Sequence, residues 1–141
     1  MRKLKGTEKL AWDDMSRYIR LRDSIKTTGT KTRLQCVTCG KIVESFAIDG
    51  SQAGHCFSRQ YKSTMFEETN VHGQCIRCNK FRDGEKPIHQ HQIKNFYGEK
   101  EFNRLDALVM DEHANPAKYK RRAYDYIELR KKFRAKIKEL L

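Results

Sequence analysis

Apolar side chains recur at three- and four-residue steps near the start of the chain, at Leu10, Trp12, Met15, Tyr18, Ile19 and Ile25. This spacing is typical of a helix with one apolar face, so it predicts a helix over residues 7–26 with Thr7 as its N-cap. We expect Trp12 to pack in the core, because an aromatic ring on an apolar helix face contributes mainly buried area.

The pattern changes between about residues 34 and 79, where Gly, Thr and Ser are frequent and the apolar runs are short. Residues 41–43, 45–48 and 52–57 are strand-like, and Asp49-Gly50 between them is a turn signal. This segment is therefore predicted to form short strands and loops that lead into a helix near Cys75.

The helical spacing returns in the last third of the chain. Residues 85–113 predict two helices separated by Gly98, which stands where a C-terminal cap is expected. Asn115-Pro116 then predicts the start of a final helix, and nothing in residues 117–141 would interrupt it.

The final helix carries an apolar seam with a seven-residue period, at Tyr119, Tyr126, Phe133 and Leu140. Such a seam can pack on another helix of the same chain or on a second copy in a coiled-coil-like homodimer. Because the seam covers barely three heptads, we expect packing within the chain, with the N-terminal helix as the candidate partner, and keep the homodimer as the alternative.

The charge balance limits the class of partner. The 141 residues include 30 Lys and Arg against 18 Asp and Glu, a formal net charge of +12. This excess favours a polyanion, with DNA or RNA first and an anionic membrane surface second. Four basic residues of the final helix are candidate DNA contacts: Arg121, Arg122, Lys131 and Lys132.

The sequence also indicates the compartment. It has no apolar stretch of about 18 residues that could span a membrane, and no apolar run follows its basic start as in a secretory signal. We therefore expect a cytoplasmic protein that does not insert into membranes. Its cysteines should then be reduced thiols or metal ligands rather than disulfides.

Two C-x-x-C pairs, Cys36/Cys39 and Cys75/Cys78, are the strongest local signal. Each pair can present two thiolates to one metal ion, and two pairs complete the tetrahedral Cys₄ set of a structural zinc site. A pair of redox dithiols is the weaker alternative. Cys56 is left over and is predicted to be a small buried side chain.

The segment between the pairs carries a second set of chemical residues. It reads Ala53-Gly54-His55, then Asn70-Val71-His72-Gly73-Gln74, and runs into Cys75-Ile76-Arg77-Cys78-Asn79. Together with Cys36-Val37-Thr38-Cys39-Gly40, this combination resembles the phage NinG/Rap family of recombination endonucleases and, more broadly, the HNH or ββα-metal nucleases. The resemblance is good over about residues 18–98 and looser elsewhere.

The resemblance implies an α+β fold. Its centre would be a small zinc-stabilised ββα-metal (HNH, or His-Me finger) core flanked by N- and C-terminal α-helices. On this interpretation residues 1–33 form a basic helical segment, residues 34–98 the zinc-knuckle nuclease core and residues 99–141 a basic helical extension.

The resemblance also implies an activity. The protein would be a phage-encoded, metal-dependent, structure-specific DNA endonuclease that hydrolyses phosphodiesters in branched recombination intermediates, such as a Holliday junction or a D-loop. It would act in the bacterial host cytoplasm, with other recombination proteins as further partners. His55 would be the general base, Asn70 would hold the loop and orient His55, and Asn79 would bind catalytic Mg²⁺ or Mn²⁺.

The residue before the base departs from many HNH sites, where an Asp or His binds the metal, because here it is Gly54. The remaining metal ligands are therefore open, with His72 as the first candidate, Asp49 as the second and Glu44 as a further one. His55 could itself be a ligand instead of the base.

Arg59 is a candidate contact to the scissile phosphate. Two alternatives to the nuclease also stay open at this stage. The first is a non-catalytic, zinc-stabilised DNA-binding or adaptor module, for which Gly54 is the best argument. The second is an RNA-binding zinc protein.

Overall fold

The computed structural model describes residues 3–141 and has an α+β architecture. Its α-helices are α1 (Gly6–Thr28), α2 (Lys62–Met65), α3 (Lys86–Tyr97), α4 (Glu99–Ala114) and α5 (Ala123–Leu140). Its strands are β1 (Arg33–Gln35), β2 (Ile42–Glu44), β3 (Ser51–His55) and β4 (Val71–Cys75). Shorter helical turns cover Glu68–Asn70, Arg77–Phe81 and Pro116–Tyr119, of which the second is π-helical.

The strands form two small antiparallel sheets. Strand β1 pairs with β2, with Leu34 opposite Val43, and strand β3 pairs with β4, with Gly54 opposite His72. The second pair lies under α1, which contacts both of its strands. The predicted α+β class is therefore confirmed.

The main core lies between the first and last helices. Met15, Ile19 and Phe133 are fully buried there, and the rings of Tyr18 and Phe133 lie 5.7 Å apart. An ion pair between Arg130 and Asp14, at 2.8 Å, closes the edge of this interface. Tyr126, Phe133 and Leu140 of the heptad seam thus pack in the core with α1 of the same chain, as expected. Tyr119 lies before α5 and donates its hydroxyl to Asp111 of α4. A homodimer stays a prediction.

Two predicted details of the helices are wrong. Helix α1 begins at Gly6, so Thr7 lies inside the first turn and the N-cap position belongs to Lys5. The last helix begins at Ala123 instead of continuing from residue 117, because the carboxylate of Asp125 accepts the backbone N–H of Arg122 at 2.7 Å and caps a new helix there.

The predicted strand over residues 45–48 is a loop. Its hydrogen bonds explain the difference, since the Ser45 backbone N–H donates to Thr32 and the Ser45 carbonyl accepts the Ser51 hydroxyl. The bond between Ser45 and Thr32 extends the pairing of β1 with β2 by one residue, after which the chain turns toward β3 and leaves Phe46 and Ile48 exposed. Helices α3 and α4 meet at Gly98 as predicted, and Gly98 has a φ of 89°.

Within residues 3–141, no helix combines the length and the apolar composition needed to cross a membrane.

Candidate functional site

The cysteine pairs lie at the ends of the two sheets. Cys36 and Cys39 occupy the turn between β1 and β2, where Gly40 has a φ of 79° and donates its backbone N–H to the Cys36 carbonyl at 2.9 Å. Cys75 ends β4, and Cys78 follows in the π-helical turn. The fold therefore closes a sequence separation of more than 30 residues to bring the four thiols together.

The spacing of the four sulfur atoms fits a metal ion. All of them lie within 4.8 Å of one another, and the Cys39 and Cys75 sulfurs are 3.7 Å apart. Tetrahedral coordination with Zn–S bonds of about 2.3 Å requires sulfurs about 3.8 Å apart. Although burial opposes ionisation, hydrogen bonds from Thr38 and from backbone N–H groups lower the pKa of Cys36 to about 6. The four cysteines could hold a metal such as zinc.

Cys56 lies apart from this cluster. It packs with Ile93 and Leu105 in a small apolar group, and burial raises the pKa of its thiol to about 11. Cys56 is thus the small buried side chain that we expected.

A second site is the His55 cavity, an open cavity of about 980 Å³ beside β3. His55, at the end of β3, and Asn79, in the π-helical turn after β4, both line it. Its other lining residues come from α1, the loop before β3, β3 itself, the loop after β3, the π-helical turn, the segment before α3 and the start of α3: Trp12, Ser16, Arg20, Phe46, Ala47, Ile48, Ser51, Gln52, Ala53, Ser58, Arg59, Lys80, Asp83, Gly84 and Lys86. The fold thus brings together His55, Asn79 and Arg59, which the sequence had singled out.

The His55 ring is held on two sides. Its Nε2 lies 3.0 Å from the Met65 carbonyl oxygen, and its face stacks on Trp12 with ring centroids 4.5 Å apart. A carbonyl only accepts hydrogen bonds, so Nε2 carries the proton and the neutral ring keeps an unprotonated Nδ1. Burial, aided by the nearby charges of Lys86 and Arg59, lowers the pKa of His55 to about 3. The chain alone therefore holds a neutral imidazole with one basic nitrogen.

Asn70 fixes the loop that leads away from His55. Its Oδ1 accepts the Phe57 backbone N–H at 2.7 Å, and its Nδ2 donates to the carbonyls of Phe57 and Thr64, each at 3.0 Å. Thr64 directly precedes Met65, whose carbonyl holds His55. Asn70 thus acts on His55 through the backbone, because its side-chain hydrogen bonds go to the loop and not to the His55 ring.

Gly54 makes room for two amide side chains. A Cβ at this position would lie 1.8 Å from Gln74 Oε1 and 2.9 Å from Asn79 Oδ1. Gln74 is fully buried, and its Nε2 donates to Thr38 Oγ1 and to the Gly84 carbonyl. The space beside Gly54 is therefore filled by side chains from β4 and from the π-helical turn.

We expect Gly54→Ala to lower the free energy of unfolding by about 2 kcal/mol, because it overpacks a position whose neighbour Gln74 is pinned by two hydrogen bonds. Urea unfolding of Gly54→Ala, Gln74→Ala and the double variant provides the measurement. The loss caused by Gly54→Ala should shrink in the Gln74→Ala background, and strictly additive losses would contradict the steric explanation.

His72, the first candidate for a further metal ligand, is not brought to His55. It lines a separate cavity of about 700 Å³ beside the cysteine cluster. Its Nδ1 lies 2.9 Å from His89 Nε2, and its Nε2 lies 2.8 Å from the Tyr97 hydroxyl. Both ring nitrogens are therefore occupied by hydrogen bonds within the protein.

Asp49 and Glu44, the other candidate ligands, are exposed and are not among the residues that line the His55 cavity. Asp83 is the acidic residue that does line it. Asp83 precedes Gly84 in a turn, and its φ of 51° reflects that turn. The Asp-Gly pair was the signal that could have drawn attention to it.

Burial keeps His89 neutral and gives the fold a dependence on pH. His89 is fully buried, and this burial lowers its pKa well below the ordinary value. Below about pH 6.5, His89 is protonated in the unfolded chain but stays neutral in the folded chain. The free energy of unfolding therefore decreases as the pH falls below this value. We expect His89→Gln to reduce this loss by up to about 1.4 kcal/mol per pH unit.

Urea unfolding between about pH 7.5 and pH 5.5, at saturating zinc, measures this effect. Zinc release affects all variants alike, so the difference in slope isolates His89. His91→Gln, at an exposed position of the same helix, is the control and should keep the wild-type slope. If His89→Gln kept the wild-type slope, His89 would not contribute to the pH dependence of the free energy of unfolding.

Cationic side chains surround the His55 cavity. Arg20, Arg59, Lys80 and Lys86 line it, and Lys86 donates from Nζ to the His55 carbonyl. The sequence singled out only Arg59. The sequence did not indicate that the other three, or the stacked Trp12, would line this cavity. Trp12 and Arg20 reach it from α1, Lys80 from the π-helical turn and Lys86 from the start of α3.

The basic candidates of the C-terminal segment lie elsewhere. Arg121 donates to the Lys62 carbonyl and covers the Phe66 ring, and Arg122 is the N-cap residue of α5. Lys131 pairs with Glu128 on the exposed side of α5, and Lys132 lies 3.7 Å from Glu68. None of these four lines the His55 cavity.

Comparison with known proteins identifies the family of the chain. The family model for the bacteriophage lambda NinG protein matches residues 1–141, the whole chain. Neither the curated proteins nor the solved structures contain a significant match. The family match covers both C-x-x-C pairs, His55 and Asn79. The chain belongs to the bacteriophage lambda NinG protein family.

Proposed function

We propose that this protein is a metal-dependent, structure-specific DNA endonuclease that cuts branched recombination intermediates. The observation that carries the proposal is that His55 and Asn79, which are separated by 23 residues in the sequence, line one cavity together with Arg20, Arg59 and Lys86. A histidine with a basic nitrogen, oxygen donors and several cations are the groups that phosphodiester hydrolysis requires. Strands β3 and β4 with the following turn would be the ββα-metal core, which the cysteine site clamps through structural zinc.

The roles follow from the contacts. His55 takes the proton of the attacking water at Nδ1, while Met65 holds the opposite nitrogen. A phosphodiester anion in the cavity raises the pKa of His55, because a nearby negative charge favours the imidazolium. Arg59 and Lys86 hold the phosphate.

A divalent cation completes the chemistry. Asn79 donates from Nδ2 to Gln52 Oε1 at 2.8 Å, which leaves its Oδ1 as an oxygen ligand for a cation. Asp83 adds a carboxylate to the same cavity. Oxygen donors of this kind fit Mg²⁺ or Mn²⁺. The bound metal would stabilise negative charge on the phosphate and the leaving oxygen.

A cleavage assay tests the proposal. Zinc-loaded protein is incubated with an end-labelled four-way junction, a D-loop and a linear duplex of matched sequence, each without added metal, with Mg²⁺ or with Mn²⁺. We expect metal-dependent cuts close to the branch and little cutting of the duplex. Equal cutting of the duplex would contradict structure specificity.

Binding of the junction without a product in any metal would reject the nuclease and leave the non-catalytic DNA-binding or adaptor module. In the same assay, stronger competition by structured RNA than by the junction would favour the RNA-binding alternative.

A further inference from the structure

The loop over residues 45–50 exposes apolar side chains at the mouth of the His55 cavity. Ile48 is 103% exposed and Phe46 is 45% exposed, and both line the cavity. Scattered exposed apolar residues are normal on protein surfaces. These two differ because they occupy one tight loop beside a cavity whose other walls are largely polar and cationic. We call residues 45–50 the Phe46 loop.

The Phe46 loop is rigidly attached to the fold. Ser45 is fully buried and bonds through its hydroxyl to Ser24, through its N–H to the Thr32 carbonyl and through its carbonyl to Ser51. At the other end, a Cβ on Gly50 would lie 2.0 Å from the Glu44 carbonyl oxygen, so the chain closes tightly there. The apolar tip therefore cannot fold inward to escape water without breaking these contacts.

Positive charge accompanies the apolar tip. The Arg20 guanidinium lies 5.0 Å from the centre of the Phe46 ring and also donates to the Ser45 carbonyl. Arg59, Lys80 and Lys86 line the same cavity. An apolar tip with an aromatic ring, set among cations, complements a nucleic-acid strand whose bases present their faces while its phosphates meet the basic groups.

We propose that the Phe46 loop is a wedge that contacts unstacked bases at the branch point of DNA, with Ile48 inserted beside a base and Phe46 stacked on its face. In an intact duplex these faces are covered by neighbouring base pairs, so contact would require the full cost of unstacking. At a branch the stack is already interrupted. The wedge thus distinguishes branched DNA from duplex DNA, an inference that rests on the proposed nuclease function.

Binding and fluorescence test the wedge without cleavage. The probes are a four-way junction with 2-aminopurine at the branch and a duplex with 2-aminopurine in the same sequence, both with zinc-loaded protein and without added Mg²⁺ or Mn²⁺. We expect the wild-type protein to raise the fluorescence of the junction probe, because 2-aminopurine brightens when it leaves the stack. Ile48→Ser and Phe46→Ser should each bind the junction about 10-fold more weakly, suppress this rise and keep the wild-type affinity for the duplex.

Met110→Ser is the matched control, because Met110 is 64% exposed on α4 and does not line the His55 cavity. It should behave as wild type. Zinc content and thermal unfolding establish that each variant is folded, which the exposure of the substituted side chains favours. Wild-type junction affinity and fluorescence in both loop variants would overturn the wedge.

Two further results would also overturn it: an equal loss of duplex affinity, and a loss confined to binding of vesicles of phosphatidylcholine and phosphatidylserine. Because these readouts need no cutting, failure of the wedge is separate from failure of the nuclease. The latter would appear as a wild-type protein that cuts no DNA in any metal.

Discussion

Removing the metal from the cysteine site is expected to unfold the protein. The site joins the turn between β1 and β2 to the end of β4, and Gln74, next to Cys75, fills the space beside Gly54. Structural zinc sites contribute about 10–16 kcal/mol in apparent binding free energy, which is comparable to the whole stability of a domain. Chelation should therefore abolish the cooperative thermal transition of the folded chain.

The measurement combines metal analysis with thermal unfolding. We expect about one zinc ion per chain, and its loss in Cys39→Ser and Cys78→Ser. Cys56→Ala is the matched control, because Cys56 is a buried cysteine outside the cluster. It should retain the zinc and lose only about 1 kcal/mol of stability.

Two outcomes would contradict a structural zinc site. One is a metal-free chain that melts like the zinc-loaded chain. The other is a full zinc content in both cluster variants.

The cysteine site could be predicted because its signal is local. Each C-x-x-C pair fixes two thiols within one turn, and Gly40 with its φ of 79° lets that turn close. The meeting of the two pairs was inferred from the chemistry of zinc alone, without knowledge of the strands that carry them. The structure reaches the same cluster through the pairing of β1 with β2 and of β3 with β4.

The cavity around His55 could be predicted only in part. His55 and Asn79 belong to a recognisable motif in one stretch of sequence, and Arg59 follows His55 closely in that stretch. Trp12 and Arg20 enter through the direction in which α1 crosses β3, and helical periodicity says which residues share a face but not what that face meets. Trp12 packs against the main core, as the sequence suggested, and in addition stacks on His55.

Residues 45–48 show where pattern reading fails. Their short apolar run is typical of a strand, yet a strand needs a partner to accept its backbone hydrogen bonds. Only Ser45 continues the pairing of β2 with β1, through Thr32, and its carbonyl then accepts the side chain of Ser51 as the chain turns into β3. A similar limit applied to Gly54, whose neighbours Gln74 and Asn79 could not be foreseen from its lack of a side chain.

The final large effect concerns His55. We expect His55→Ala to lower the rate of junction cleavage by about 10²–10⁴-fold, because general-base catalysis contributes an acceleration of that size. The alanine also removes the stacking on Trp12 and the hydrogen bond to Met65, so His55→Gln is a second variant that keeps an amide donor for that carbonyl. Glutamine cannot accept the proton of the attacking water and should show a similar loss.

Single-turnover cleavage rates provide the measurement, and zinc content, thermal unfolding and junction affinity without added Mg²⁺ or Mn²⁺ provide the controls. Ser58→Ala is the matched variant, since Ser58 lines the same cavity but has no part in the proposed chemistry. It should cleave at nearly the wild-type rate. Because the pKa of His55 in the free chain is about 3, the imidazole stays neutral above about pH 5, and kcat/KM should not fall between about pH 8 and pH 6 through protonation of His55. Wild-type cleavage by folded, junction-binding His55→Gln would remove His55 from the chemistry and return the assignment of the base to the other residues of the cavity.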